Sequence, residues 1–296
     1  MVESQHARRA LYSQRSAHAN EFDKKLKPQG RIPIISSRPY PYAYICIMER
    51  HMDSWQSMIL DKEMDIAVYG HYGPAFLLFP FDGEHYLGYE EHEVIAALAP
   101  NIDAGRIKVF AIGSIDRESW LAEDVEPRQK SIRHQQYNRY VTEEVVPFIA
   151  RNMRSTHPTI YTAGVSLGAL HAVNSFLRRP DLFEGTIGLS GRYDLKEWTN
   201  GYYDNDVYFN SPMDYLPNLT GPALDSLRQK EKAFLLSGSG AAHDRSCAEN
   251  PEASWAMGRL MDAKGIKNWV DIWGEEYGHD WLTWCAMFAS AIGRCL

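Results

Sequence analysis

Short apolar runs recur along this chain without the alternation of a half-exposed strand: Ala75 to Pro80, Ile107 to Ile112, Thr159 to Ala163, Gly185 to Leu189, Ala233 to Leu236 and Asn268 to Ile272. Runs of this kind suit strands buried on both faces. Helical stretches separate them, over Glu90 to Leu98, Tyr137 to Arg151, Leu167 to Arg178, Ala253 to Ala263 and Trp281 to Ile292. In the second stretch Tyr137, Val141, Val145, Phe148 and Ile149 fall near a helical period, and Pro147 should bend it. The alternation predicts an α/β layer fold: a mostly parallel central sheet flanked by helices, with right-handed crossovers and a site at the carboxyl ends of the strands. Two earlier segments, around Cys46 to Trp55 and Ser57 to Gly70, predict antiparallel N-terminal edge strands joined by a turn.

The first forty residues are poor in aliphatics, carry Arg8, Arg9, Arg15, Lys24, Lys25 and Lys27, and end in the proline-punctuated stretch Pro28 to Pro41. They read as a loosely held N-terminal arm (1–40), with a single domain over 41–296, since no later linker or repeat divides the chain. A net charge of -7 argues against nucleic acid as a partner. No run approaches the roughly 20 apolar residues of a membrane span. The N-terminus lacks the apolar core of a secretory signal. With 4 cysteines in 296 residues and no Cys-x-x-Cys pair, a reduced, cytoplasmic setting is expected. Oligomeric state is not legible.

Chemistry enters at Gly164-Val165-Ser166-Leu167-Gly168, a Gly-x-Ser-x-Gly directly after the apolar run Thr159 to Ala163 and directly before the small-residue helix start Leu167 to Val173. That context predicts a serine on a strained strand-to-helix turn, with glycines where side chains would collide. The helix start aims backbone N–H groups at developing negative charge. A serine nucleophile needs a base and an acid to orient it. His279 is singled out by position, after the last strand and before the C-terminal helix. His243 is its one rival. The remaining histidines read as surface or element-end residues, His134 among them, and His171 as part of a helix face. The acid should lie between serine and histidine in sequence. Asp244, after Ala233 to Leu236 and the loop Ser237 to His243, meets this. Asp204 and Asp206 are the alternatives, each open to reading as a helix cap or solvated loop carboxylate. For the oxyanion hole the expected backbone donors are Leu167 and, from the loop Phe81-Asp82-Gly83, Phe81.

Segments in order carry a wider resemblance: Gly70 to Gly83, Ala104 to Trp120, Gly164 to Asp194, Tyr202 to Leu219 and Gly278 to Trp284. Together they resemble the putative-esterase family of α/β-hydrolases, which includes formylglutathione hydrolases, feruloyl esterases and mycolyltransferases, and within it a subgroup of bacterial esterase-like proteins. The resemblance implies the α/β-hydrolase fold, matches the family nucleophile to Ser166, and matches its histidine, in His-Asp-Trp, to His279. At the acid the subgroup's loop, Gly-x-Gly-Ala-Trp-Glu-Asp, is matched by Asp244, with Ala242 and His243 in place of its Trp and Glu.

The expected reaction is hydrolysis of a small-molecule carboxylic ester through an acyl-enzyme on Ser166. Transfer of the acyl group to an alcohol or sugar, and a non-catalytic binding module on the same fold, are the competing readings. No cofactor or metal is called for; Asp204-Asn205-Asp206 lacks the rest of a calcium loop. The aromatic residues Tyr193, Trp198, Tyr202, Tyr203, Tyr208, Phe209 and Tyr215 suit either a substrate wall or a loop that packs on its own rings.

Overall fold

The computed structural model describes residues 48–240 and 251–296. The arm, Cys46, Cys247, His243 and Asp244 lie outside the described residues. Eight strands form one sheet: β1 (Arg50–Ser57), β2 (Lys62–Tyr69), β3 (Ala75–Phe79), β4 (Lys108–Ile112), β5 (Ile160–Val165), β6 (Gly185–Leu189), β7 (Lys232–Ser237) and β8 (Trp269–Ile272). Their spatial order is β1-β2-β4-β3-β5-β6-β7-β8. β1 with β2 and β2 with β4 are antiparallel, and every other neighbouring pair is parallel. The sheet is that of an α/β-hydrolase. β3, β5 and β6 are buried at every position, which is why their sequences lack alternation.

The labelled helices are α1 (Val94–Asp103), α2 (Pro127–Tyr140), α3 (Val146–Asn152), α4 (Leu167–Arg178), α5 (Asn205–Asn210), α6 (Pro222–Arg228), α7 (Pro251–Ala263) and α8 (Trp281–Cys295). Two layers of core flank the sheet. On one face Tyr137, Ala172, Val173, Phe176 and Met257 pack with the strand residues Leu77, Phe110 and Leu235. On the other, Val94, Leu98, Met287, Phe288 and Ile292 from α1 and α8 pack with Phe76, Val109 and Leu236.

Three departures from the sequence reading have local causes. The helix expected over Glu90 to Leu98 is split, because Glu93 takes a left-handed conformation (φ 65) before α1 begins. The second helix starts earlier, at Pro127, and α2 and α3 are joined by a π turn over Val141–Val145. That turn precedes Pro147, which has no N–H to give to the helical ladder, so the backbone widens rather than ends. Lastly, His134 is fully buried mid-helix rather than at a surface or element end.

Candidate active site

β3 pairs with β5 so that Phe79 stands opposite Gly164. The loop after β3 therefore leaves the sheet beside the loop after β5, and α1 and α4, which follow those loops, lie on opposite faces. That crevice outside the strand ends is where an open α/β sheet places its ligands.

Ser166 sits there with φ 54 and ψ -116, a conformation an L-residue adopts only when its surroundings force it. Its N–H is donated to the Leu189 carbonyl at 2.9 Å, and its carbonyl accepts from Ala169 and Leu170 as α4 begins. The two glycines of the motif make this turn possible. A Cβ on Gly168 would lie 2.4 Å from the Pro80 carbonyl oxygen, and one on Gly164 would lie 2.2 Å from the Gly168 carbonyl oxygen. α4 thus docks backbone to backbone against the end of β3, with Ser166 4% exposed.

The Leu167 N–H, free of the helix ladder at this first turn, is donated to Asp82 Oδ1 at 3.2 Å. Asp82 also bonds Ser166 and lies within electrostatic reach of His279. Burial pushes its carboxyl above the usual carboxylate range; the Leu167 N–H pulls it back, and the charge on Asp116 pushes it further up. Asp82 is itself left-handed (φ 29), as is Gly83 after it (φ 78).

His279 reaches this point on the loop between β8 and α8. That loop lies over the end of β7: Gly240 donates its N–H to the Tyr277 carbonyl at 2.9 Å, and a Cβ on Gly238 would meet the same oxygen. The His279 ring stands edge-on to Trp284, centroids 4.8 Å apart, and 6.4 Å from the Phe81 ring. Asp280 caps α8 by accepting the Thr283 N–H at 2.9 Å, and Trp284 donates its indole N–H to Ser190 at 3.0 Å. Asp280, by capping α8, and Trp284, one turn into that helix, therefore hold His279 in place.

Of the sequence-predicted residues, Ser166, Leu167, Phe81 and His279 come together, Phe81 with its ring against His279, Trp281 and Trp284. Asp204 is elsewhere engaged. It caps α5 through the Val207 N–H at 2.7 Å and accepts from Tyr202 and Ser131. Asp206 follows in the first turn of that helix. The aromatic segment divides: Tyr193 and Tyr215 are buried, Trp198 and Tyr202 pack partly buried against a cluster containing Leu167 and Leu170, and Tyr203 and Phe209 are exposed. Asp82 was missed as a site residue. Its only sequence signal is its place in Phe81-Asp82-Gly83, directly after a buried strand. A cavity of about 790 Å³ opens at the opposite ends of the strands, near Lys108, Thr159 and Lys232, and none of the predicted site residues lines it. Among the described residues no group of His, Cys, Asp and Glu is arranged to hold a metal ion, and no helix is long and apolar enough to cross a membrane.

Residues 57–292 match the model of the Putative esterase family. The chain belongs to that family. It is an esterase-type hydrolase, acting on carboxylic esters. No curated protein sequence matches it. Among solved structures, a ferulic acid esterase superposes with a TM-score of 0.64 at 16% identity, covering 84% of this chain and 99% of the other. The S-formylglutathione hydrolase of Agrobacterium tumefaciens gives 0.64 at 15% identity, covering 83% and 94%. The fluorophosphonate-binding serine hydrolase FphF of Staphylococcus aureus gives 0.58 at 14% identity, covering 83% and 98%. At these identities the likeness is one of fold.

Proposed function

We propose that this esterase works through an acyl-enzyme on Ser166. Ser166 Oγ attacks the ester carbonyl while His279 takes its proton; the Leu167 N–H receives the oxyanion, joined by a second backbone donor from the loop at Phe81. His279 then protonates the leaving alcohol, and water, activated by the same histidine, releases the acid. Asp244 is assigned the carboxylate that orients His279. The substrate is a small-molecule ester.

The observation that carries this reading is the first turn of α4. Ser166 is held in a strained conformation, and the amide beyond it is bonded to a carboxylate oxygen, which is the kind of atom an oxyanion hole accepts. The family membership and the proximity of His279 support it.

The test is exposure to a fluorophosphonate followed by intact mass and peptide mapping, with hydrolysis of p-nitrophenyl acetate measured beside it. One adduct on Ser166 is expected in the wild type and none in Ser166→Ala, which should lose at least about 10³-fold in kcat/KM with its Tm little changed. Near-wild-type turnover by Ser166→Ala would overturn the mechanism.

A further inference from the structure

A neutral ester has to place its developing oxyanion against the Leu167 N–H, and that position is occupied. Asp82 Oδ1 accepts the N–H at 3.2 Å, and the same carboxylate bonds Ser166 and feels His279. Three site groups converge on one side chain. Its place is built in by the backbone: β3 delivers it beside Ser166 through the Phe79–Gly164 register. The left-handed pair Asp82 and Gly83 then turns it inward.

The one group of opposite sign that this carboxylate feels among the described residues is His279. Among the described residues no Lys or Arg is paired with it. The neighbouring Arg117 is turned to the Gly83 carbonyl, Nε to oxygen 3.2 Å. The other buried charge it feels, Asp116, has the same sign. A half-buried anion facing the reacting atoms, with no lysine or arginine paired to it among the described residues, suits a cation brought by the substrate.

A neutral ester meets Asp82 unfavourably in two ways. It must displace the carboxylate from Leu167, and its oxyanion then forms beside a like charge. An ester with an ammonium group one or two carbons from the scissile carbonyl meets neither difficulty. The cation pairs with Asp82, draws it a short way aside, and frees the Leu167 N–H for the carbonyl oxygen. We infer that Asp82 is a specificity-determining residue that selects esters bearing a cationic amine beside the scissile carbonyl, such as amino-acid esters. This rests on the Ser166 mechanism proposed above. No bond changes beyond that mechanism; Asp82 exchanges one hydrogen-bond donor for another.

The test compares alanine methyl ester with its neutral isostere methyl 2-methylpropanoate in wild type and Asp82→Asn. It is run at pH 6.5, below the α-amino range of about 7.7–8.0 so that the amine stays charged. The ratio of kcat/KM values between the two esters is compared across the two proteins, which cancels their intrinsic reactivities. Asp82→Asn is expected to lower the cationic-to-neutral ratio at least tenfold, with kcat/KM for the neutral ester rising. A ratio unchanged within threefold overturns the inference. So does a parallel fall for both esters, which a proton-donating or merely structural Asp82 would give. Fluorophosphonate labelling of Ser166 in both proteins separates the layers: labelling with an unchanged ratio removes the selectivity alone, while its absence from both removes the esterase mechanism and the selectivity with it. Should Asp82→Asn fail to fold, the wild-type ratio divided by the ratio of the two esters' hydroxide rate constants decides. A value of ten or more is expected, and a value below ten overturns the proposal.

Discussion

Helix α4 carries two settings of aspartate and histidine, one at its N-terminus and one a turn further on, and they differ in what can reach them. At the start Asp82 bonds Ser166 and Leu167 and feels His279 at the strand ends. Further along, His171 Nε2 bonds Asp116 Oδ1 at 2.8 Å, and its ring stacks on His134 with centroids 5.0 Å apart. The Asp116–His171 pair is directly bonded, yet its side chains are 0% and 1% exposed. A bonded aspartate and histidine is thus no mark of catalysis by itself. What separates the two settings is a strained serine, a helical N–H outside the helix ladder, and the partial exposure of Asp82 and His279. The inner setting instead ties the loop after β4 to α4 and α2, and it does so at a cost. Asp116 Oδ2 and His171 Nδ1 have no hydrogen-bond partner among the described residues, and buried polar groups left so are destabilising.

The largest effect that sharpens this contrast is expected at the outer histidine. His279→Gln should lower kcat/KM for an activated ester by at least about 10³-fold, as loss of a general base does in a serine mechanism. Its Tm should stay close to the wild type, because the ring is only partly buried against Trp284 and Phe81. His171→Ala should do the reverse, destabilising the protein while the folded enzyme keeps its rate within tenfold. If the His171 variant lost as much rate as His279→Gln at equal folded fraction, the two settings would not be distinct.

The inner setting should also govern acid stability. Burial holds the His134 imidazole well below its ordinary value of 6.5, and the charges of His171 and Arg178 push the same way. A histidine whose folded pKa is depressed stays neutral in the native state while the unfolded chain takes up a proton. Stability is therefore complete above about pH 6.5 and falls as pH drops below it, by up to about 1.4 kcal/mol per pH unit for one group. The groups facing this ring are His171, Trp120, Arg178, the Asn210 side chain, whose hydrogen bond works the other way, and, through His171, Asp116. Urea unfolding of His134→Phe between pH 7 and 5 should show a shallower decline than the wild type. An identical decline in the two proteins would mean that His134 takes its proton in the folded state.

The contrast also explains which parts were legible in the sequence. Strands β3, β5 and β6 and helix α4 were, because burial on both faces leaves unbroken apolar runs and the α4 bounds coincide with a run of small and apolar residues. Ser166 and His279 were legible because their roles are set by local order along the chain, strand then turn then helix. Asp82 was not, since its meaning comes from a register between β3 and β5 that brings together residues more than eighty positions apart. His134 was hidden for another reason. Helix α2, PRQKSIRHQQYNRY, is so polar that it reads as surface, yet its inner stripe of Ser131, His134 and Tyr137 is buried. The rings of Tyr193 to Tyr215 could not be sorted in advance, because a loop packed on itself and a substrate wall need the same residue types.

The smallest effect concerns Asp204, where the sequence left the acid open between a loop carboxylate and a cap. Its carboxylate accepts the Val207 N–H at 2.7 Å, the Tyr202 hydroxyl at 2.8 Å and the Ser131 hydroxyl at 2.9 Å. Burial works against its ionisation, but these three donors hold its carboxyl below the ordinary 3.8. A carboxylate with a depressed folded pKa contributes stability that is present above its unfolded value and is lost as pH falls through the folded one. Asp204→Ala should therefore cost about 1 kcal/mol at pH 7, the usual worth of an N-cap, and the difference should shrink toward pH 3. Its kcat/KM should stay within twofold of the wild type, because the donors that Asp204 satisfies lie on α5, on α2 and at Tyr202 just before α5. A 10³-fold loss of rate in a protein of unchanged stability would instead make Asp204 the residue that orients His279 and displace Asp244 from that role.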